Sequence, residues 1–255
     1  MSSIEIPAPI APTKTPRSPR VWKFWGTLLW GFVIFAALFL GQAVVVGVLV
    51  WQHGSFDMAT LKTLLAGGLT LSLSVVAGLP AVLAAIWLAT RAARMGFAEY
   101  LALRRPPWKL LLIGVAALAV VVEGWDLMAQ ATGRDVTPGF MGEVLKSARA
   151  DNTLWLLVLA FCVAAPITEE FFVRGFLYRG WSESFLRPVG AILLSSLVWT
   201  LMHLQYDWFF LGEVFSIGVL LGVLRYYGNS IWLTVILHGL NNLAATVQTM
   251  WLTSS

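Results

Sequence analysis

The chain is poor in charge, in cysteine and in histidine. Only 12% of its 255 residues are charged, about half the share of a typical soluble domain, roughly 25%. That shortage rules out an ordinary soluble fold. Cys162 is the single cysteine, so no intrachain disulfide forms and cysteine usage carries no information about redox compartment. In its apolar surroundings Cys162 reads as a small packed hydrophobe. There are three histidines and no His-Glu-x-x-His sequence, the usual helical zinc-protease signature. No internal repeat is visible, and no stretch reads as an independent soluble domain.

What fills the chain is apolar surface. Hydrophobic residues make up 58% of it, and the mean hydropathy is +0.79. The class is therefore an integral membrane protein, all-α, since only helices or closed barrels satisfy the backbone in lipid. The formal net charge is +4. In such a chain the excess marks cytoplasmic loops rather than nucleic-acid binding.

Residues 1–24 are rich in Pro and Ser with scattered Lys and Arg, and read as a disordered basic tail. Residues 25–255 read as one transmembrane domain. A span needs about 20 apolar residues, and about seven such segments appear: 28–51, 64–90, 110–129, 154–178, 189–203, 208–227 and 231–251. Between the second and third, 97–103 reads as a short interfacial helix; between the third and fourth, 140–150 reads as a surface helix. Pro80 is expected to kink the second span. Glu123 and Asp126 are expected in the headgroup region.

Lys and Arg set the orientation. With the N-terminus cytoplasmic, Lys14, Arg17, Arg20, Lys23, Arg91, Arg94, Arg104, Arg105, Lys109, Arg179, Arg187 and Arg225 fall inside. Lys62, Arg134, Lys146 and Arg149 fall outside.

The sequence Pro166-Ile167-Thr168-Glu169-Glu170-Phe171-Phe172-Val173-Arg174 interrupts the fourth span with three charges. A charge near mid-membrane costs about 2.5–3.5 kcal/mol or more, so it persists with a partner or a purpose. Adjacent helical residues lie about 100° apart, which sends Glu169 and Glu170 to different faces. Glu170 and Arg174 stand at i, i+4 in the favourable order. Arg174 is thus expected to neutralise Glu170, leaving Glu169 to face something else. Pro166 is expected to bend the helix beside it. Trp199 and His203 share a face of the fifth span, and His238 and Asn242 share a face of the seventh. His53 reads as a solvated loop residue. A carboxylate, two imidazoles and an amide brought together in a membrane point to activated water and an oxyanion clamp.

Glu-Glu-x-x-x-Arg, aromatic-x-x-x-His and His-x-x-x-Asn, in this order on successive spans, resemble the CAAX prenyl protease and bacteriocin-processing family of glutamic-type intramembrane proteases. The resemblance covers about residues 154–251, the expected catalytic core. It implies that Glu169 is the catalytic glutamate and His203 its partner in activating water. It implies further that His238 and Asn242 bind the oxyanion, with Glu170 and Arg174 in support. The family usually has Phe where this chain has Trp199. The implied activity is an endopeptidase needing no cofactor, acting on a membrane-associated or lipidated peptide. The implied partners are membrane lipids and substrate, not nucleic acid; the implied place is a bacterial inner membrane, with the site opening toward the cytoplasmic half. Oligomeric state is not legible in the sequence. Three other readings use the same residues: a zinc-dependent membrane protease, a degenerate scaffold or bacteriocin-immunity protein, and a proton-relaying transporter, the last disfavoured by the missing repeat symmetry.

Overall fold

A computed structural model describes residues 18–54 and 57–253. Residues 1–17 of the basic tail lie outside the described residues. Everything described is helix, turn or coil, with no strand. Among the described residues ten helices follow one another: α1 (Phe24–His53), α2 (Met58–Ala66), α3 (Gly68–Ala92), α4 (Phe97–Leu101), α5 (Trp108–Ala131), α6 (Gly139–Ala150), α7 (Leu154–Ser182), α8 (Arg187–Leu201), α9 (Trp208–Gly228) and α10 (Ile231–Leu252).

Five of them, α1, α3, α5, α7 and α9, are long and apolar enough to cross a membrane. Their outer faces agree with that. Trp25, Phe32, Leu40, Val120 and Trp155 stand well exposed, as apolar side chains do only against lipid or a partner. The protein is an integral membrane protein. The sixth and seventh expected spans differ from these five. α8 is 15 residues long, about 22 Å at 1.5 Å per residue. α10 has 22 residues but carries His238, Asn241, Asn242 and Gln248, which lower its hydropathy.

Two boundaries moved. The expected span 64–90 is split at Gly67, the extended N-cap of α3, and the loop before it forms α2. The expected span 189–203 ends at Leu201, so His203 lies in the turn that follows. Pro80 sits inside α3, and the helix runs on past it.

Two sets of contacts tie the connections together. At one end Arg20 N–H donates to Ala93 O, Ile231 N–H donates to Ala102 O, and Ser230 Oγ donates to Arg104 O. The basic connection 93–107 is thereby tied to the N-terminal segment and to the α9–α10 turn. At the other end Ser147 Oγ accepts from Gly68 N–H, Phe140 meets Tyr206 edge to face, and Arg134 lies over Trp208. The main core runs between these ends, around Val173, Phe176, Leu177, Ala191, Leu221 and Leu237.

Candidate active site

α7 is not a regular α-helix. Pro166 has no N–H to give, and the turn before it widens to π geometry over Ala160–Ala164, where Ala165 N–H reaches back to Ala160 O. A second π stretch covers Phe171–Leu177. Such turns often mark functional sites, because they re-aim the side chains around them. The wide turn leaves the Phe161 carbonyl without a helical donor, and Asn242 Nδ2 supplies one at 2.8 Å. Gly239 permits that approach, since a Cβ there would stand 2.7 Å from the Cys162 carbonyl oxygen. Pro166 and the α10 pair Gly239 and Asn242 together dock α10 against α7.

Glu170 and Arg174 are fully buried. Arg174 Nη1 donates to Glu170 Oε1 at 2.7 Å, and Nη2 donates to the Gly218 carbonyl at 3.1 Å. The guanidinium also lies 4.4 Å above the Trp199 ring. Gly218 has to be small: a Cβ there would crowd Ser196, Trp199 and Arg174 at 3.1–3.3 Å. The expected pair therefore forms, held by these contacts, while Glu170 Oε2 and Arg174 Nε find no hydrogen-bond partner among the described residues.

Glu169 points elsewhere, with 18% of its side chain exposed. Its Oε2 accepts from the Trp199 indole N–H at 2.5 Å. The same oxygen is 4.0 Å from His203 Nε2 and 3.9 Å from His238 Nε2. Those gaps are too long for a hydrogen bond and suit one bridging water at each. Trp199 lies edge to face with both imidazoles. It is the residue whose part the sequence left unassigned beyond that of an aromatic platform. The clue was chemical: a Trp inside a span needs an acceptor for its N–H. Trp199→Phe keeps the ring and removes that donor. A hydrogen bond to a charged group is worth about 1.5–3 kcal/mol, so the melting temperature of this variant is expected to fall by several degrees, at about 2–4 °C per kcal/mol, and any hydrolytic turnover about tenfold or more. Parallel activity and melting measurements check it.

Both imidazoles have fixed tautomers. His203 Nδ1 lies 2.9 Å from the Trp199 carbonyl oxygen, and a carbonyl only accepts. His238 Nδ1 lies 3.1 Å from Glu170 Oε1, a carboxylate already held by Arg174. Each Nδ1 therefore carries its proton and each Nε2 turns toward Glu169. Orienting an imidazole by a carboxylate behind it recurs in hydrolytic sites. Tyr206, 5.8 Å from His203 between ring centroids, adds a phenol to the same wall. Burial first, and then the Glu169 charge, push it up to about 12, so it remains a donor at neutral pH.

These groups face one cavity of about 960 Å³. Glu123, Asp126 and Glu213 line it too. Asp126 accepts from Gln248 Nε2 at 2.6 Å across to α10. Glu213 shares the cavity wall with His203. The site was expected to open toward the basic half of the bundle. The lining instead comes from α3 near its start, α5 and α10 toward their ends, the start of α9, and residues 136–141 and 201–206. Those pieces lie together at the end away from the 93–107 connection.

A comparison with known protein families covers the stretch that holds this site. Residues 151–244 match the family described as type II CAAX prenyl endopeptidase Rce1-like. Glu169, Glu170, Arg174, Trp199, His203, His238 and Asn242 all fall inside the match. An uncharacterized 24.3 kDa protein of Escherichia coli is 30% identical over 135 residues, which are 52% of this chain and 58% of that protein. The chain thus spans little more than half of that relative. No solved structure matches the chain. Residues 151–244, which hold the whole candidate site, are thus similar to the type II CAAX prenyl endopeptidase Rce1-like family.

Proposed function

We propose that this protein is a membrane-embedded endopeptidase that hydrolyses a peptide bond with water activated by Glu169 and His203. The observation that carries the reading is the convergence of Glu169 Oε2 on two Nε2 atoms at 3.9 and 4.0 Å, inside a cavity large enough for an extended peptide segment. Water held between Glu169 and His203 Nε2 gives up a proton to the carboxylate as its oxygen attacks the peptide carbonyl. General-base help of this kind is worth about 10²–10⁴ in rate. The tetrahedral oxyanion then sits beside His238, whose Nε2 can donate to it only when that nitrogen too carries a proton, Nδ1 being held by Glu170. The Asn242 amide N–H not used on Phe161 is a second donor. Glu169 returns its proton to the leaving amine, and both products leave without an acyl-enzyme.

In this reading the chain crosses a bacterial inner membrane about seven times, with the N-terminus cytoplasmic and the short α8 set in from one surface. The substrate is a membrane-associated or lipidated peptide, and no cofactor takes part. The test is cleavage of a peptide library by the purified protein in lipid nanodiscs, with and without a strong chelator. Cleavage that persists under chelation is expected. Loss on chelation with recovery on added zinc would move the same residues into a metal site. No cleavage, with Glu169→Ala still supporting whatever the native chain does in cells, would favour a binding scaffold.

A further inference from the structure

The long helices alternate in direction, so their connections sort into two sets. Residues 18–23, 93–107, 183–186 and 229–230 lie at one end, joined by the hydrogen bonds of Arg20, Ser230 and Ile231 to the 93–107 connection. Residues 132–138, α6 and residues 202–207 lie at the other, joined by the Phe140–Tyr206 and Arg134–Trp208 contacts.

Charge divides along the same line. Lys and Arg concentrate at the first end, with Arg94, Arg104, Arg105 and Lys109 in or beside one connection. Carboxylates collect at the second, where Asp135, Glu143, Asp151 and Asp207 outnumber Arg134, Lys146 and Arg149. Basic loops stay in the cytoplasm. The end that carries α6 is therefore extracytoplasmic.

The cavity belongs to that second end. Its lining includes Thr137 and Pro138 on one side and Gln205 on the other, and none of it comes from the connections at the basic end. Gln205 is exposed and Thr137 half-buried, so the lining reaches the surface there.

We infer that the active-site cavity is reached from the extracytoplasmic side. Its substrate is a polypeptide segment displayed there, from an exported or membrane-anchored chain, rather than a cytosolic C-terminus. The substrate class rests on the proposed hydrolytic function; the side of access does not.

Cysteine labelling separates the two. With Cys162→Ala as background, Thr137→Cys, Gln205→Cys and, as the opposite-end reference, Arg105→Cys are each made in the full chain. Cells stripped of any outer wall or membrane barrier are treated with a charged, membrane-impermeant maleimide, before and after permeabilisation. Thr137→Cys and Gln205→Cys are expected to label fully in sealed cells, and Arg105→Cys only after permeabilisation. The reverse pattern would overturn the inference. So would cavity positions that stay unlabelled after permeabilisation while Arg105→Cys reacts. Sealed vesicles of both orientations then receive a cleavable peptide outside; right-side-out vesicles are expected to cut it and inverted ones not. Labelling as expected with no cleavage by either orientation would sink the hydrolytic reading and leave the side of access standing.

Discussion

Glu169→Gln is expected to lower peptide hydrolysis about 10³-fold, toward the upper part of the 10²–10⁴ range for a positioned general base, without unfolding the protein. The amide is isosteric and its oxygen still accepts from Trp199, now at 2.5 Å from a carboxylate oxygen. What it loses is the capacity to take a proton from water. Glu169 is partly exposed to the cavity, so replacing it leaves no buried charge unpaired. The informative contrast is Glu123→Gln, which changes a cavity carboxylate that lies outside the reacting group and is expected to keep near-native turnover. Initial rates on one cleavable peptide, for both variants, check the pair of expectations. Equal rates for Glu169→Gln and the native chain would remove the proposed mechanism.

Arg174→Met is expected to produce the largest loss of stability. The change strips Glu170 of its partner while the carboxylate stays fully buried. Breaking a buried pair from one side costs about 3–5 kcal/mol, because the remaining charge is uncompensated. The Gly218 carbonyl and the Trp199 face lose their contacts as well. At about 2–4 °C per kcal/mol for a chain of this size, the melting temperature in detergent falls by about 10 °C or the protein fails to accumulate. Removing both charges tells structure from chemistry. In Glu170→Met with Arg174→Met no charge is stranded, and well-packed apolar replacement of an ion pair is often neutral. That double variant is expected to recover most of the stability and none of the activity, since His238 Nδ1 then has no acceptor to hold its tautomer. A double variant as unstable as Arg174→Met would show that the pair's role is not electrostatic.

Much of this was legible because it is local. Apolar runs bounded by Arg, Gly and Pro gave long helices within a few residues of their ends, since length and hydropathy alone decide them. The Glu170–Arg174 pair followed from i, i+4 spacing on one helix. So did the separation of Glu169 from Glu170. The missing parts depend on neighbours far along the chain. The span 189–203 was expected to run through His203; the helix stops at Leu201, and the imidazole sits in the turn after it. The π turn at Ala160–Ala164 and the Asn242 bond to Phe161 form one device. Half of it lies on α10, so the sequence showed only a proline expected to bend α7. The Trp199 bond to Glu169 spans thirty positions. The inward turn of Asp126 depends on Gln248, 122 positions away. Which loops line the cavity depends likewise on how helices far apart in the chain pack together.

The central claim is geometric and can be seen directly. A high-resolution density map of the protein in nanodiscs is expected to show an ordered water within hydrogen-bond distance of both Glu169 and His203 Nε2, with the indole of Trp199 against the same carboxylate. A map in which the Glu169 side chain turns to lipid, or stands too far from both imidazoles for one water to bridge, would contradict the account.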